Sequence, residues 1–514
     1  MTDSSFNQRR RFHKTAAITL ASLYVGSGRA ATTENTGKSG QSKVQPFSSD
    51  TNDAILDIAD YTLSLSYKDL PAEVISITKQ QLLDTIGVGL AGYNADGVRQ
   101  LRIFTEANGG KEESLVWGGA VRVPAHEAAR VNGAMAHALD YDDTHEKSYV
   151  HPSVITIPAV LAISEKLPNL TGQDLIVAIV LGTDISCRLA MAAQPGVNPF
   201  KVGWHNTTVY GYISSALAVG KLLGLNREQL INAAGIAYHQ AAGNAQAHVD
   251  GALTKRMGPG YACSAGVLAA QMAQLGVTGA HDVLEGPIGL YPQYHRGHYE
   301  RSVLLKDLGT QFATSDLSFK PYPSCRGSHT AVDAALALVQ KHNIKANDIK
   351  SLTIYNGPGE FELLGDPLPS KRAPQNTVQA QFSNPWVVAS TLINGQLSLA
   401  DFTPEALEQA EVLALTQKIE TELDESLASK GGGVGATRVT VQMHEGHNIT
   451  ETVLTAKGEP NQPLTTYEFE QKFKDCASSV GLNPVQITSL MSTIQNLENL
   501  NEVKSLMQQM QNHL

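Results

Sequence analysis

Cysteine is scarce in this chain. There are four, Cys187, Cys263, Cys325 and Cys476, and no two stand at CxxC spacing. That argues against zinc ribbons, thioredoxin-like redox pairs and ordinary iron–sulfur cradles. Positive charge is also short: 39 Lys+Arg against 49 Asp+Glu leave a net −10. Non-specific nucleic-acid binding needs a surplus of Lys and Arg to neutralise phosphates, so that class falls away. Aromatics make up only 6%. No segment beyond the N-terminal region runs to 18 uninterrupted apolar residues, the length a membrane-spanning helix calls for. No HExxH occurs. An EF-hand loop counted from Asp140 would need Gly and Glu where His145 and His151 stand.

What remains is ample material for a folded core. Hydrophobic residues reach 42% of 514 and charged residues only 17%, which excludes wholesale disorder and allows two to four domains. The N-terminus carries an address of its own. Arg9-Arg10-Arg11-Phe12-His13-Lys14 precedes an apolar run, Thr15 to Val25, and a small-residue exit at Gly28-Arg29-Ala30. This order looks like a twin-arginine export signal over residues 1–30, which predicts a periplasmic protein with no stable membrane insertion after cleavage. Residues 31–52 read as a flexible linker.

Apolar residues recur three and four apart in Ile55–Leu65, Val74–Leu90, His126–Leu139, Leu175–Met191, Val209–Leu222 and Leu230–Gln240. The pattern predicts a helical domain over 53–315. Near 315 the texture changes. Ser351 to Asn356 and Thr437 to Met443 alternate with period two, while Ala331–Val339 and Trp386–Leu392 stay helical. The reading is a smaller α+β lid over 316–457, followed by C-terminal helices, 458–514, that rejoin the first domain. The fold class is mainly α.

The densest polar cluster is His137-Ala138-Leu139-Asp140-Tyr141-Asp142-Asp143-Thr144, then His151-Pro152-Ser153. Three acids at a helix C-terminus oppose the macrodipole, so the helix must end there and the acids project from a loop. Metal binding, acid–base chemistry and capping of the next helix all remain open for such a cluster. Gly203-Trp204-His205 lies before a helix. Thr254-Lys255-Arg256 precedes Gly258-Pro259-Gly260, which reads as a turn leading into another helix. Phe319-Lys320-Pro321-Tyr322-Pro323-Ser324-Cys325-Arg326 stands at the domain boundary, with a helix expected to start near His329 and aim its amides at an anion. Three basic segments in an acidic chain suggest a pocket for a polycarboxylate. Cys325 reads as packing rather than a reactive thiol.

In this order, these blocks resemble the MmgE/PrpD family, which contains 2-methylcitrate dehydratases, cis-aconitate decarboxylases and iminodisuccinate epimerases. The blocks are Asn132-Gly133 through Asp143, His151-Pro152-Ser153, Gly203 to His205, Thr254 to Arg256, Phe319 to Cys325, and Gln381-Phe382-Ser383-Asn384-Pro385-Trp386. The resemblance spans roughly 53–510. It implies a large helical domain with an α+β lid, a homodimer, and chemistry without metal or organic cofactor. It implies catalytic positions at Asp140, Thr144, His151, His205, Lys255 and Lys320, and substrate-binding positions at Arg256, Tyr322 and Arg326. Two positions depart from the family pattern: Thr208 stands where many members have Gly, and Gly258 where many have His.

The implied chemistry is proton transfer at a carbon next to a carboxylate of a small di- or tricarboxylate. Lysines and arginines would stabilise the enolate-like charge, and His151 and His205 would donate and accept the proton. Dehydration is the first expectation; epimerisation and decarboxylation use the same groups. A non-catalytic periplasmic carboxylate binder and a metal-dependent hydrolase are the competing classes.

Overall fold

The computed structural model describes residues 52–193, 203–429 and 433–511. The expected export signal and nearly all of the expected linker lie outside them. The described residues belong to one folded unit, Phe47–Leu514.

The fold is mainly α, with a smaller α+β part. The helical core is built from Ala72–Ala91, Ala125–His137, Pro152–Ser164, Gly172–Ala193, Asn206–Leu222, Arg227–Gln240 and Thr254–Gln274. Several of these are buried on every side. All thirteen residues of Pro152–Ser164 are buried. Gly172–Ala193 is long and apolar enough to cross a membrane, yet 94% of its apolar window is buried within the protein, so it is a core helix. Residues after Phe473, through Met510, pack into the same apolar cluster as Ala54 to Phe312.

The second core joins Tyr322 to Met443. Its sheet runs Ile419–Leu423, Ile349–Asn356, Thr437–Met443, Asn448–Val453 in spatial order. The first pair is parallel and the other two are antiparallel. Thr437–Met443 alternates strictly between buried and half-buried, the period that its sequence announced. Both edge strands escaped the sequence reading. Ile419–Leu423 carries exposed Glu420 and Glu422, and no residue of Asn448–Val453 is buried. Charged edges of this kind prevent further strand pairing, and they hide the hydrophobic signal.

One local expectation fails. Gly258-Pro259-Gly260 is not a turn: it lies inside the helix Thr254–Gln274, and Lys255 and Arg256 occupy that helix's first turn. The glycines serve close packing. A Cβ on Gly133 would lie 2.9 Å from Gly260 Cα, and one on Gly260 would run into the Arg130 carbonyl oxygen. Ala125–His137 and Thr254–Gln274 therefore touch backbone to backbone.

Candidate active site

The acid-rich loop starts where the helix Ala125–His137 ends. Asp140 adopts a left-handed conformation, φ 52°, which Asp tolerates better than most residues. A two-residue antiparallel ladder then brings the distant basic segment alongside. Thr144 pairs with Ser318 and His145 with Leu317, so the chain two residues past Ser318 runs beside the acids. Lys320 lands there, wholly buried. Its Nζ donates to Asp140 Oδ1 at 2.6 Å and to the Asp140 carbonyl at 2.9 Å. Lys255, from the first turn of its helix, donates to the other carboxylate oxygen, Oδ2. One acid thus bridges two ammonium groups. Burial alone would push Asp140 up, but Lys255 and Lys320 hold it well below the carboxylate range. Burial likewise opposes the charge on Lys320, yet Asp140 and Asp142 raise its pKa.

Four imidazoles line up beside this triad. The centroids of His137 and His151 are 5.0 Å apart, those of His137 and His205 5.6 Å, and those of His205 and His248 4.7 Å. Asp142 organises the inner end. Its Oδ2 lies 2.8 Å from His137 Nδ1 and 3.0 Å from His151 Nδ1. His151 Nδ1 also donates to the Asp143 carbonyl at 2.8 Å and lies 3.4 Å from Thr144 Oγ1. With Nδ1 donating, Nε2 is the ring nitrogen without a proton. Burial, followed by the Lys255 charge, pushes His137 down to about 4, so it is neutral near pH 7. His205 is also lowered, by burial and by His248 and His137.

The loop is anchored on both sides. Asp143 accepts from Ser153 Oγ at 2.5 Å, in the first turn of Pro152–Ser164, and burial raises its carboxyl to about 7. The N-cap of that helix is His151, with no side-chain capping bond. Lys472, from the helix Thr466–Ser478, donates to the carbonyls of Tyr141 and Lys320 at 2.8 and 2.9 Å and pairs with Asp84 at 2.7 Å. His205 is set by its backbone N–H on the Gly243 carbonyl and by Thr208 Oγ1, 2.8 Å from Nδ1. The two departures from the family pattern meet here. A Cβ on Gly258 would lie 2.5 Å from Thr208 Oγ1, so a side chain at 258 and Thr at 208 exclude one another.

Asp140, Thr144, His151, His205, Lys255 and Lys320 are thus brought together from separate segments. The three expected substrate contacts bond protein groups outside this cluster, Arg256 through Nη1 alone, its buried Nε having no partner among the described residues. Arg326 is buried, with Nε on Glu146 Oε1 at 2.7 Å and Nη1 on the Lys457 carbonyl at 2.7 Å. Tyr322 gives its hydroxyl to Asp333 at 2.7 Å. Arg256 donates to the Asp96 carbonyl at 2.8 Å. At the helix near His329, the turn Arg326–Ser328 precedes it, and the amides of Ser328 and His329 bond the Cys325 and Arg326 carbonyls. Burial pushes the Cys325 thiol up to about 11, which suits packing better than nucleophilic attack.

His248 and Phe382 were not foreseen. Phe382 lies under Lys255 Nζ at 5.3 Å and meets the edge of His248 at 6.1 Å. A lone histidine outside any block carries no sequence signal; Phe382 sat in a quoted block without a role.

The metal question turns on Asp142. His137, Asp142 and His151 offer ligand atoms within 4.8 Å of one another. Both imidazole Nδ1 atoms, however, address the same carboxylate oxygen, and an ion between them would have to displace both hydrogen bonds. The donor set as it stands forms a hydrogen-bonded relay. A separate surface groove of about 650 Å³ shares no residue with the cluster, and Asp57, Asp60 and Asp69 on its wall would repel a carboxylate.

Comparison with known proteins concerns the chain as a whole. The MmgE/PrpD N-terminal domain matches residues 56–302 and the MmgE/PrpD C-terminal domain matches 322–493. Cis-aconitate decarboxylase of Aspergillus terreus is 26% identical over 469 residues, covering 88% of this chain and 94% of that protein. The Homo sapiens cis-aconitate decarboxylase is 28% identical over 445 residues, 85% and 90% of the two chains. The 2-methylcitrate dehydratase of Escherichia coli K12 is 26% identical over 391 residues, 71% and 76%.

Proposed function

The chain belongs to the MmgE/PrpD family, and from that premise we propose that it is a lyase for a small di- or tricarboxylate, working by proton transfer at a carbon beside a carboxylate. The observation that carries this reading is the convergence of Lys255 and Lys320 on Asp140, next to the row of imidazoles.

The two lysines divide the labour. Lys320 is wholly buried and spends two of its three N–H groups on Asp140. It fixes positive potential behind the site. Lys255 has two N–H groups left beyond Asp140, which suits it to bind a substrate carboxylate. As the C–H proton leaves, negative charge spreads onto that carboxylate, and a preorganised ammonium stabilises it without reorganisation. His151, 17% exposed at its side chain, is the base with Nε2 free. Half-buried His205 is neutral at rest, so the proton it gives to the carbon or to the leaving hydroxyl is the one taken by His151, passed along the imidazole row through His137. Thr144 holds His151 or the substrate.

Dehydration of a 2-methylcitrate-like acid is the first reading. Decarboxylation of cis-aconitate is the second, favoured by the longer coverage of the decarboxylases, 85–88% of this chain against 71% for the dehydratase. Export to the periplasm, supported by the Arg-Arg motif, and assembly as a homodimer belong to the same proposal.

The test is to incubate the protein with 2-methylcitrate, cis-aconitate and iminodisuccinate in deuterated water and follow proton spectra. Turnover of one of them is expected. It should survive exhaustive EDTA dialysis and fall at least about tenfold in His151→Ala. If none of the three loses a carbon-bound proton or gains deuterium at carbon, the reading is refuted.

A further inference from the structure

His248 belongs to no recognised block. It sits on the short helix Gln246–Val249, between His205 at 4.7 Å and Phe382 at 6.1 Å. The other imidazoles of the cluster each have Nδ1 engaged: His137 on Asp142, His151 on Asp142 and the Asp143 carbonyl, His205 on Thr208; the buried Nε2 of His137 is unpartnered too. His248 Nδ1 is buried and has no hydrogen-bond partner among the described residues. A buried polar nitrogen left unpaired is costly, and in native proteins such atoms are rare enough to need a reason.

The surroundings supply one. Lys255, His137, Asp140 and His151 all act electrostatically on His248. The same Phe382 ring lies against both Lys255 Nζ and His248. The imidazole and the available ammonium thus flank one aromatic wall. The site is also close to neutral: two lysines face Asp140 and Asp142, and His137, His205 and His248 are held uncharged by burial. A tricarboxylate entering it brings more negative charge than Lys255 alone can bind.

We propose that His248 is a substrate-contacting residue, donating a hydrogen bond to a second carboxylate of the bound tricarboxylate while Lys255 binds the first. This rests on the functional reading above. It accounts for the unpaired nitrogen, because the ligand is its partner. It also makes the loop around Gln246–Val249 part of substrate selection.

The test uses the full-length protein and tricarballylate, a saturated tricarboxylate that can be neither dehydrated nor decarboxylated like the substrates. Binding is measured by calorimetry for the wild type, His248→Leu and His248→Gln. Leu keeps the bulk but has no donor, whereas Gln retains an N–H. His248→Leu should weaken binding about ten- to hundredfold, with Gln recovering most of it. For whichever substrate is turned over, KM should rise more than kcat falls. The melting temperature of His248→Leu should match or exceed the wild type, since no internal hydrogen bond is lost. Equal binding by His248→Leu would overturn the inference and leave the functional reading intact. A melting temperature several degrees lower would assign His248 a structural role and also overturn it. Failure of the wild type to bind tricarballylate, cis-aconitate and 2-methylcitrate would overturn both.

Discussion

Replacing Asp140 by Asn removes one negative charge from between two buried ammonium groups and changes little else. The position has φ 52°, and Asn accepts the left-handed region as readily as Asp, so backbone strain is not a confounder. Breaking a buried pair by deleting one partner costs about 3–5 kcal/mol, because the other charge is left uncompensated. Here two charges are left, on Lys320 at 0% and Lys255 at 6% exposure, which places the expectation at the upper end. A folded unit of this size gains unfolding entropy near 1 kcal/mol per degree, so the melting temperature should drop by about 3–5 °C. The pH window follows from the shifts. Asp140 is depressed below its ordinary 3.8, so its contribution is present above that value and is lost as pH falls through the folded value. Lys320 is raised above 10.5, so its contribution is present below 10.5 and is lost only as pH rises through the folded value. The gap between wild type and Asp140→Asn should therefore be flat from about pH 5 to 9. Circular-dichroism melts at pH 5, 7 and 9 measure it, alongside turnover, which should fall at least about tenfold as Lys255 and Lys320 lose the carboxylate that positions them. A variant that melts within about 1 °C of wild type and keeps its activity would refute the account of Asp140 as the bridge.

Two further outcomes test other parts of the argument. Gly260→Ala should abolish folding or cost several kcal/mol, because its Cβ meets the Arg130 carbonyl and lies 3.1 Å from Ala134 N, whereas Gly359→Ala, with open space around it, should be neutral; soluble yield and urea midpoints compare them, and a well-folded Gly260→Ala would contradict the helix contact. Burial raises Asp143 to about 7, so the folded state holds that proton more tightly than the unfolded chain and stability falls as pH rises from about 4 to 7; Asp143→Asn, which cannot titrate, should gain on the wild type in melting temperature between pH 5 and 8, and a constant gap would show that the carboxyl is not held protonated.

Much of the fold was legible because its signals are local. Helical periodicity in Val74–Leu90 or Leu175–Met191 depends only on residues three and four apart, and the structure has helices over both. The end of the helix at His137 followed from the acids behind it. The edge strands were not legible, since Glu420 and Glu422 mask the alternation. Gly258-Pro259-Gly260 misled for a different reason. Gly and Pro punctuate chains that face water, but the backbone contact with Gly133 keeps this stretch helical.

The sequence by itself determined which residue types were available for the chemistry and which stretches would be helix or strand, because those follow from nearest neighbours along the chain. Only the tertiary structure decided their partners. Asp140 meets Lys255 across 115 positions and Lys320 across 180, while Arg326 and Tyr322, in the same basic block as Lys320, turn to Glu146 and Asp333. A charge in a sequence has no address until burial removes the water around it; the partner it then finds depends on packing between segments that no local pattern encodes.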